Sequence, residues 1–324
     1  MDYSKKEGKA WAREKLVGQW TTMVTPFTSN DEVDEAGLRR NIDHVIKLGT
    51  SGMGFSWNMG EFWSLTTEER MRLMEFVPGA VRGRCRLAFQ TTTNCLRDAV
   101  AMSRRAEELG YDLVILGPPF IMTRKEEQVI DFVSRVAAQV SIGIAFYNSP
   151  QFGIVMSAKG LTRLADIENV IAIKEASFNM GLSIDTHLEA GRKVVVSTPD
   201  EEIFFFEPFY GFHQQVMFAN TSDWRFDTEA RPRYVEFVGR ATQGDLARAK
   251  DLYREIWPMK EVSRKWWSIV SARTGGSLPV AMVKHWGELM GMAGGGVRPP
   301  LMDLTPDERA GMTKDLSRLG LIRG

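Results

Sequence analysis

Short apolar runs alternate along the chain with longer segments in which apolar residues recur three or four positions apart, from about Gln19 to Asn220. The runs predict buried parallel strands, and the longer segments predict helices that pack against them. The predicted helical segments include 34–49, 66–77, 95–110 and 126–140. The predicted strands are TTMVTPF (21–27), GMGFSW (52–57), RLAFQT (86–91), DLVILG (112–117), GIAFYN (143–148), VIAIKE (170–175), KVVVST (193–198) and QVMFAN (215–220).

These eight strand-and-helix units predict an α/β protein with a (β/α)8 fold, the TIM barrel, in which the strands form a closed inner wall. A doubly wound open sheet is the main alternative. It would normally have fewer units and a glycine-rich phosphate turn after its first strand, and no such turn follows residues 21–27. The barrel is therefore the predicted fold.

After Asn220 the strand pattern ends and helical patterns take over, at 228–257, 278–292 and 305–321. The first of them supplies the last helix of the barrel. We divide the chain into an N-terminal segment, a barrel and a C-terminal helical extension, at residues 1–18, 19–243 and 244–324. A glycine-rich loop at 291–300 joins two of the later helices, but no Lys-Ser or Lys-Thr follows it as in a phosphate-binding loop.

Composition narrows the classes of partner. The chain has 324 residues, 44% hydrophobic and 25% charged, which is enough to bury a barrel core. Its 41 basic and 41 acidic residues balance, so we predict binding to neither nucleic acid nor a membrane surface. We find no signal sequence and no apolar run of about 18 residues. Cys85 and Cys95 match no disulfide or metal spacing, so we predict a soluble protein of the reducing cytoplasm.

Lys174 is the first candidate for chemistry, because it ends the strand VIAIK and barrel active sites lie where strands end. Alternation along the strand predicts that Ala172 and Lys174 point into the barrel. Ile171 and Ile173 are then expected on the other side of the wall. Burial would lower the pKa of Lys174 and free its amine to attack a carbonyl carbon. The alternative is a lysine that pairs with Glu175 or reaches solvent.

Tyr147 is the second candidate, since it closes the preceding strand GIAFY at the same distance from the barrel mouth. Neighbouring strands lie about 4.8 Å apart, so its side chain can meet that of Lys174. Its hydroxyl could then relay a proton to and from a substrate oxygen. The alternative is a tyrosine that caps the core and keeps its hydroxyl in water.

The loop FSWNMGEFW (55–63) follows the second predicted strand. Gly60 permits a tight turn there, and backbone N–H groups in such a turn can hold a carboxylate without a cationic side chain. Glu61 is expected to brace the turn by accepting backbone hydrogen bonds. The large apolar side chains of the loop are either substrate contacts or core and interface residues: Trp57, Met59, Phe62 and Trp63.

Neither a metal site nor a serine hydrolase triad is predicted. The two cysteines and four histidines show no metal-ligand spacing, and the histidines are His44, His187, His213 and His285. No Gly-x-Ser-x-Gly elbow is present to supply a serine nucleophile. We therefore expect the protein to need no metal and no cofactor.

The segments YNSP (147–150) and AIKEAS (172–177) are similar to Tyr-Asn-x-Pro and Ile-Lys-Glu segments of a known family at the expected separation. The chain resembles the dihydrodipicolinate synthase and N-acetylneuraminate lyase family of class I aldolases and dehydratases, from residue 18 to residue 321. This resemblance implies that Lys174 is the Schiff-base lysine and Tyr147 the proton relay. It also implies a homotetramer built as a dimer of dimers.

The chain departs from the family pattern at several positions. WNMGE (57–61) lies where the family typically has Gly-Thr-Thr-Gly-Glu, whose backbone amides bind the carboxylate of the 2-oxo acid. By this resemblance, Asn58 replaces a threonine that passes protons, and Phe120 lies in the segment that carries a second relay tyrosine. QFG (151–153) lies where the synthase branch has an arginine for the carboxylate of its amino-aldehyde. Lysine-pathway synthesis is therefore not expected.

The side chains expected at the acceptor end of the cavity are apolar: Trp57, Met59, Phe120 and Met122. We therefore predict a pyruvate aldolase or hydratase-aldolase that joins or splits a 2-oxo acid and an apolar or aromatic aldehyde. The predicted substrate-binding residues are Trp57, Asn58, Met59, Gly60, Phe120 and Asn220.

Two alternatives stay open. The first is a dehydratase of 2-keto-3-deoxy sugar acids, whose hydroxyl groups could be bound by Asn58, Asn220, Thr221 and Ser222. The second belongs to another class, a ligand-binding barrel that has lost its chemistry. The loss of relay residues favours the second alternative, and the presence of both Lys174 and Tyr147 argues against it.

Overall fold

The computed structural model describes residues 2–218 and 221–322, and its strands form one parallel sheet. The strands are β1 Gly18–Thr22, β2 Gly52–Phe55, β3 Arg86–Gln90, β4 Leu113–Leu116, β5 Gly143–Asn148, β6 Val170–Glu175, β7 Val195–Ser197 and β8 Val216–Phe218. Neighbours follow chain order from β1 to β7, and β8 pairs with β1. The backbone N–H of Phe218 donates to Ser197 Oγ at 2.7 Å, which brings β8 and β7 together. The predicted (β/α)8 barrel is confirmed.

Helices alternate with the strands and continue after the last one. Several begin at a side chain suited to capping: the Asp34 carboxylate accepts the Gly37 N–H, and Thr66 forms a capping box with Glu69. Among the described helices, none is both long enough and apolar enough to cross a membrane. The helices are α1 Gly8–Lys15, α2 Glu35–Leu48, α3 Thr67–Val81, α4 Leu96–Glu108, α5 Glu126–Ala137, α6 Ala158–Leu164, α7 Met180–Glu189, α8 Ile203–Tyr210, α9 Ser222–Phe226, α10 Arg233–Thr242, α11 Leu246–Arg273, α12 Val280–Leu289 and α13 Pro306–Arg318.

The first strand lies earlier in the chain than the apolar run at 21–27 predicts. Trp20 pairs with Gly52 on β2, and a Cβ atom at position 52 would lie 2.4 Å from the indole. Glycine at that position therefore lets the large ring lie inside the barrel. The rest of the run continues as a loop, because Pro26 has no N–H group to donate to a strand ladder.

The N-terminal segment closes one end of the barrel. The Tyr3 hydroxyl donates to the Asp112 carbonyl at 2.6 Å and accepts the Gly143 N–H at 2.9 Å. Both partners lie at the amino-terminal ends of their strands, so the closed end is the amino-terminal one. A Cβ atom at position 143 would lie 2.7 Å from the Tyr3 oxygen, which explains the glycine. The carboxyl-terminal mouth, where barrel enzymes place their active sites, lies opposite.

A bulge changes the predicted direction of one side chain in β6. The register between β5 and β6 shifts between Ile144 and Ala145, so Ile171 is an extra residue on β6. Ile173 packs in the outer core, as expected, but Ile171 packs in the inner cluster of the barrel. The prediction for Ile171 is wrong because simple alternation does not count a bulged residue.

Buried charges tie the C-terminal extension to the loop after β2. Glu61 and Lys284 of α12 are almost completely buried, and their charged atoms lie 2.5 Å apart. The backbone N–H of Arg298 donates to the other Glu61 oxygen at 3.2 Å. The Arg298 guanidinium pairs with Glu69 at 2.7 Å and donates to the Ser64 carbonyl at 3.0 Å. Glu61 therefore accepts a backbone hydrogen bond, as predicted, and joins the loop to the extension.

Replacing Lys284 with methionine is expected to lower the free energy of unfolding by about 3–5 kcal/mol, because Glu61 would stay buried without its cation. Chemical denaturation at pH 7 measures this loss. The matched control is Lys265→Met, which removes a half-exposed lysine whose ion pair with Asp315 contributes about 1 kcal/mol or less. Equal losses in the two variants would contradict the account of the Glu61 and Lys284 pair.

Candidate active site

A cavity of about 340 Å³ lies at the carboxyl-terminal mouth of the barrel, and Lys174 forms part of its wall. In the sheet, Lys174 pairs with Tyr147 on β5 and with Ser197 on β7. Lys174 is only 4% exposed. Its Nζ atom lies 4.3 Å from the centre of the Trp57 ring and 4.7 Å from the centre of the Tyr147 ring. The two residues singled out at the ends of neighbouring strands therefore meet over the core.

The surroundings of Lys174 favour its neutral amine. Burial lowers the pKa of Lys174 from 10.5 to about 7, since the charged form loses its hydration. The carboxylate of Glu175 is engaged elsewhere, because it accepts the Ser177 N–H at 3.0 Å and the Ser183 hydroxyl. The aromatic faces near Nζ attract a cation, but the loss of hydration is the larger effect. A neutral amine is the form that attacks a carbonyl carbon.

A row of hydroxyl and amide groups begins at Tyr147. Burial raises the pKa of the Tyr147 hydroxyl well above its ordinary value, and the nearby Ser149 side chain opposes part of this rise. Ser149 donates to the side-chain carbonyl of Gln151, which also accepts Asn58 Nδ2 at 3.4 Å. Gln90 Nε2 donates to Asn58 Oδ1 at 3.4 Å. Tyr147 is therefore a protonated phenol at one end of a series of polar side chains.

The loop after β2 lies where the sequence places it. Trp57, Asn58 and Met59 line the cavity. Asn58 to Gly60 form one 3-10 turn, whose hydrogen bonds run from Gly60 N–H to the Trp57 carbonyl and from Glu61 N–H to the Asn58 carbonyl. The N–H groups of Asn58 and Met59 precede these bonds, so the turn itself provides them with no acceptor.

Gly60 is expected to permit the tight turn and to contact the substrate, and the structure gives it a different role. Glu61, with φ of 55°, supplies the left-handed conformation of the turn. At Gly60 a Cβ atom would lie 3.0 Å from the Met23 carbonyl oxygen, and the Gly60 carbonyl accepts the Thr25 hydroxyl at 2.8 Å. Gly60 is absent from the described lining of the cavity, so it supports the turn from behind.

Phe120 and Met122 are predicted contacts for the aldehyde, but neither belongs to the described lining of the cavity. This corrects the expectation for Phe120. The Phe120 ring packs edge-on against Phe62 at 6.0 Å and is absent from the described lining of the cavity. The loop is held there because Asn94 Oδ1 accepts the Phe120 N–H at 2.7 Å and the Ile121 N–H at 3.0 Å. Met122 is 78% exposed. The predicted contact at Asn220 falls outside the described residues.

Most of the far wall of the cavity is not marked by the sequence pattern, which points only to Ser222 there. Its polar lining residues include Thr198, Asp200, Glu201, Ser222, Arg225, Lys260 and Ser263. Its apolar lining residues include Phe178, Met180, Phe226, Trp267 and Leu278. The lining is therefore mixed and not wholly apolar as expected. No local motif marks the others, because they come from segments after β6 and β7 and from α9, α11 and the loop that follows α11, which meet at the cavity only through tertiary packing.

One acidic cluster lies beside the cavity. The carboxylate oxygens of Asp200, Glu201 and Glu202 lie within 4.8 Å of one another, a spacing that could hold a metal ion. However, Lys260 Nζ lies 2.7 Å from Glu201 and 3.1 Å from Glu202, and the Tyr234 hydroxyl donates to Glu201 at 2.9 Å. Lys260 therefore already supplies a positive charge to this cluster. Independence from metal stays a prediction.

Residues 15–319 match the model of the dihydrodipicolinate synthetase family. The chain is 30% identical over 307 residues to the 4-hydroxy-tetrahydrodipicolinate synthase of Bacillus subtilis strain 168, covering 92% of this chain and 98% of that protein. It is 29% identical over 314 residues to the protein of the same name from Moorella thermoacetica, covering 94% and 100%.

Solved structures share the fold. A dihydrodipicolinate synthase crystal structure superposes with a TM-score of 0.80 at 25% identity, covering 94% of this chain and all of the other. YagE from E. coli K12, a prophage protein of the dihydrodipicolinic acid synthase family crystallised with pyruvate, superposes with a TM-score of 0.81 at 22% identity, covering 94% and 99%.

The low pKa of Lys174 predicts how its reactivity varies with pH. About half of an amine with a pKa near 7 is neutral at pH 7, against roughly one part in three thousand for an ordinary lysine. The extent of Lys174 acetylation by a limiting amount of an amine-reactive reagent should therefore rise with pH, with a midpoint near 7. Peptide mass spectrometry measures it, with the urea-unfolded chain as the reference. A midpoint near 10 in the folded protein would contradict the burial account.

Proposed function

Because the chain belongs to the dihydrodipicolinate synthetase family and is a pyruvate-dependent class I lyase of the aldolase type, we propose that Lys174 forms the Schiff base with pyruvate. One observation carries this proposal: a buried amine with a pKa near 7 lies beside Tyr147 at the barrel mouth. A fold alone would not assign a reaction, whereas a neutral amine next to a proton donor suits carbonyl chemistry.

The reaction follows from these groups. The neutral amine attacks C2 of pyruvate, and the carbonyl oxygen takes up a proton to give a carbinolamine. A second proton lets that oxygen leave as water, and an iminium forms. Loss of a proton from C3 gives an enamine, whose C3 attacks the carbonyl carbon of an aldehyde while the aldehyde oxygen takes up a proton and becomes a hydroxyl group. Water then releases the product and restores the amine. Cleavage of an aldol is the reverse sequence, and cleavage of an arylidene-pyruvate first requires water to add across its C3–C4 double bond to give that aldol. The iminium serves as the electron sink without a metal or cofactor.

Tyr147 is the proposed proton carrier. Its raised pKa keeps the phenol protonated, so it can donate to the leaving oxygen and be reprotonated through Ser149. The hydroxyl of Ser149 is suited to this exchange because it both accepts and donates. In this proposal Ser149 supplies what a threonine and a second tyrosine supply in the family pattern.

The turn at Asn58 and Met59 is the proposed site for the pyruvate carboxylate. Two backbone N–H groups at the start of a 3-10 turn form a small anion-binding site, as at other helix starts. Trp57 lies against Lys174 on the same side of the cavity. Pyruvate would therefore be held between this turn and the amine.

For the second substrate, we propose an aldehyde with an apolar or aromatic body, as in a hydratase-aldolase. The support comes from the rings and alkyl groups that line the cavity with Trp57 and Met59, namely Phe178, Phe226, Trp267 and Leu278. Burying about 150 Å² of apolar area against them would contribute up to about 4 kcal/mol. The curated relatives are named 4-hydroxy-tetrahydrodipicolinate synthase, but Phe152 lies in the segment where the resemblance places their arginine.

A second candidate is the dehydration of a 2-keto-3-deoxy sugar acid. Hydroxyl and amide groups in the lining favour it, and they include Thr198, Asn179, Ser222 and Ser263. Both candidates use the same amine, but the aldolase makes or breaks a carbon-carbon bond, whereas the dehydratase eliminates water from the substrate. The homotetramer and the cytoplasmic location stay predictions, and light scattering of the purified protein tests the first.

Pyruvate and borohydride are expected to add a single covalent adduct to the protein, since reduction makes the Schiff base permanent. Intact mass and peptide mapping should place it on Lys174, and Lys174→Ala should abolish it. The matched control is Lys159→Ala, which removes an exposed lysine of α6 and should leave the adduct unchanged. An adduct that survives in Lys174→Ala would place the Schiff base on another residue.

Aldehyde release from an arylidene-pyruvate, compared with turnover of a sugar acid, separates the two candidate reactions.

Tyr147→Phe should lower kcat by about 100- to 10,000-fold, because general acid-base groups contribute on that order. Ser149→Ala should lower it less, since water can replace a relay hydroxyl. The melting temperature of both variants should stay near that of the wild type. The control is Tyr111→Phe, which removes a buried hydroxyl that donates to the Met74 carbonyl at 2.9 Å. The Tyr111→Phe variant should lose stability and keep its turnover. Unchanged turnover in Tyr147→Phe would contradict the assignment of Tyr147 as the proton carrier.

A further inference from the structure

The indole of Trp57 presents its face to the reactive atom of the cavity. Lys174 Nζ lies 4.3 Å from the centre of the Trp57 ring, and the centre of the Tyr147 ring lies 4.7 Å from the same atom. All three residues line the cavity, and Trp57 is only 1% exposed. The atom at which the Schiff base would form is therefore flanked by two aromatic faces.

Packing holds the Trp57 ring in this position. A Cβ atom at position 54 would lie 2.1 Å from the indole, so Gly54 leaves the space that the ring fills. The Phe218 ring packs edge-on to the indole, with the two ring centres 6.1 Å apart. The Trp57 carbonyl accepts the Gly60 N–H at 2.8 Å, which ties the backbone to the turn. The indole face therefore needs no movement to meet a charge that develops on Nζ.

Two positively charged forms of this nitrogen differ in how much hydration they lose on burial. An ammonium is a compact, strongly hydrated charge with three N–H donors, so burial at the barrel mouth disfavours it. An iminium has one N–H and shares its charge with the carbon bonded to it, so its burial costs less. An aromatic face attracts either cation, and more strongly where water is excluded. The surroundings of Nζ therefore favour a neutral free amine and a charged covalent intermediate.

We propose that Trp57 is a catalytic residue whose indole face stabilises the iminium that Lys174 forms with pyruvate. The proposal rests on the proposed function, because this cation exists only if the Schiff base forms. In that step a bond forms between Nζ and C2, one proton is taken up and one water leaves, so one positive charge appears beside the ring. A group that stabilises the charged intermediate more than the neutral amine speeds the reaction. The family pattern has glycine in the place of Trp57, so this contact is a feature of the present chain.

Fluorinated tryptophans at position 57 of the full-length protein test the proposal, because fluorine withdraws charge from the ring face and changes its shape little. Analogues with one, two and three fluorine atoms are introduced at this position alone. Pyruvate is titrated at pH 9, where an amine with a pKa near 7 is almost wholly neutral. A brief borohydride quench, read by intact mass, gives the fraction of iminium at each concentration. The apparent dissociation constant of the iminium complex should rise with each fluorine, to about tenfold for three.

Two comparisons isolate the effect of the ring face. The matched control is the same fluorinated series at Trp20, which is buried in the same inner cluster and packs edge-on to Phe218 as Trp57 does. This series should leave the dissociation constant unchanged. Among ordinary variants, Trp57→Phe keeps a smaller aromatic face, whereas Trp57→Met keeps apolar bulk without a ring. The methionine variant should weaken the iminium complex by about 10- to 30-fold and the phenylalanine variant by only severalfold.

A measurement without pyruvate separates failure of this proposal from failure of the proposed function. Fluorination at Trp57 should also lower the pH midpoint of Lys174 acetylation, by roughly half a unit to one unit for three fluorines, since the ring attracts the ammonium too. Absence of a Lys174 adduct in the wild type, with a midpoint that still falls, would contradict the proposed function and not the attraction of the ring for a cation. The proposal is overturned if the adduct forms and its dissociation constant stays the same across the Trp57 series, or shifts equally in the Trp20 series.

Discussion

In water the Lys174 amine would keep its proton, and burial at the barrel mouth takes away the hydration that stabilises the charged form. The rest of the site depends on this exclusion, because it lowers the pKa of the amine to about 7 and makes it a nucleophile. The barrel provides a rigid wall for the purpose, since β6 is paired on both sides and the N-terminal segment closes the opposite end. Trp57 then covers the amine from the neighbouring loop. Stability and reactivity are thus linked, because the same packing that completes the barrel also buries the amine.

The C-terminal extension belongs to the site as much as the barrel does. Through Lys284 and Arg298 it holds Glu61, and so the turn proposed to bind pyruvate. Through α11 it places Lys260 and Ser263 in the wall of the cavity. The extension therefore offers one physical route by which the acceptor end of the cavity can vary while the Schiff-base end stays the same.

The sequence predicts the barrel because eight apolar runs alternate with amphipathic segments, and each run tolerates burial on both faces. Lys174 and Tyr147 could be paired in advance, since neighbouring parallel strands of equal register end at the same edge. Other features depend on contacts between distant parts of the chain. The alternation of residues along β6 does not reveal the bulge at Ile171, and the position of Phe120 depends on a hydrogen bond from its loop to Asn94. The contact between Arg225 and Ser263 in the cavity wall forms only once α9 and α11 are packed.

The central claim is that Lys174 binds pyruvate covalently, and a crystal structure of the protein soaked with pyruvate at neutral pH tests it most directly. Continuous electron density should join Lys174 Nζ to C2 of the ligand, with the ligand carboxylate facing the N–H groups of Asn58 and Met59 and its former carbonyl side facing Tyr147. Pyruvate bound without a covalent bond, with its carboxylate against a charged Lys174 amine, would contradict the account.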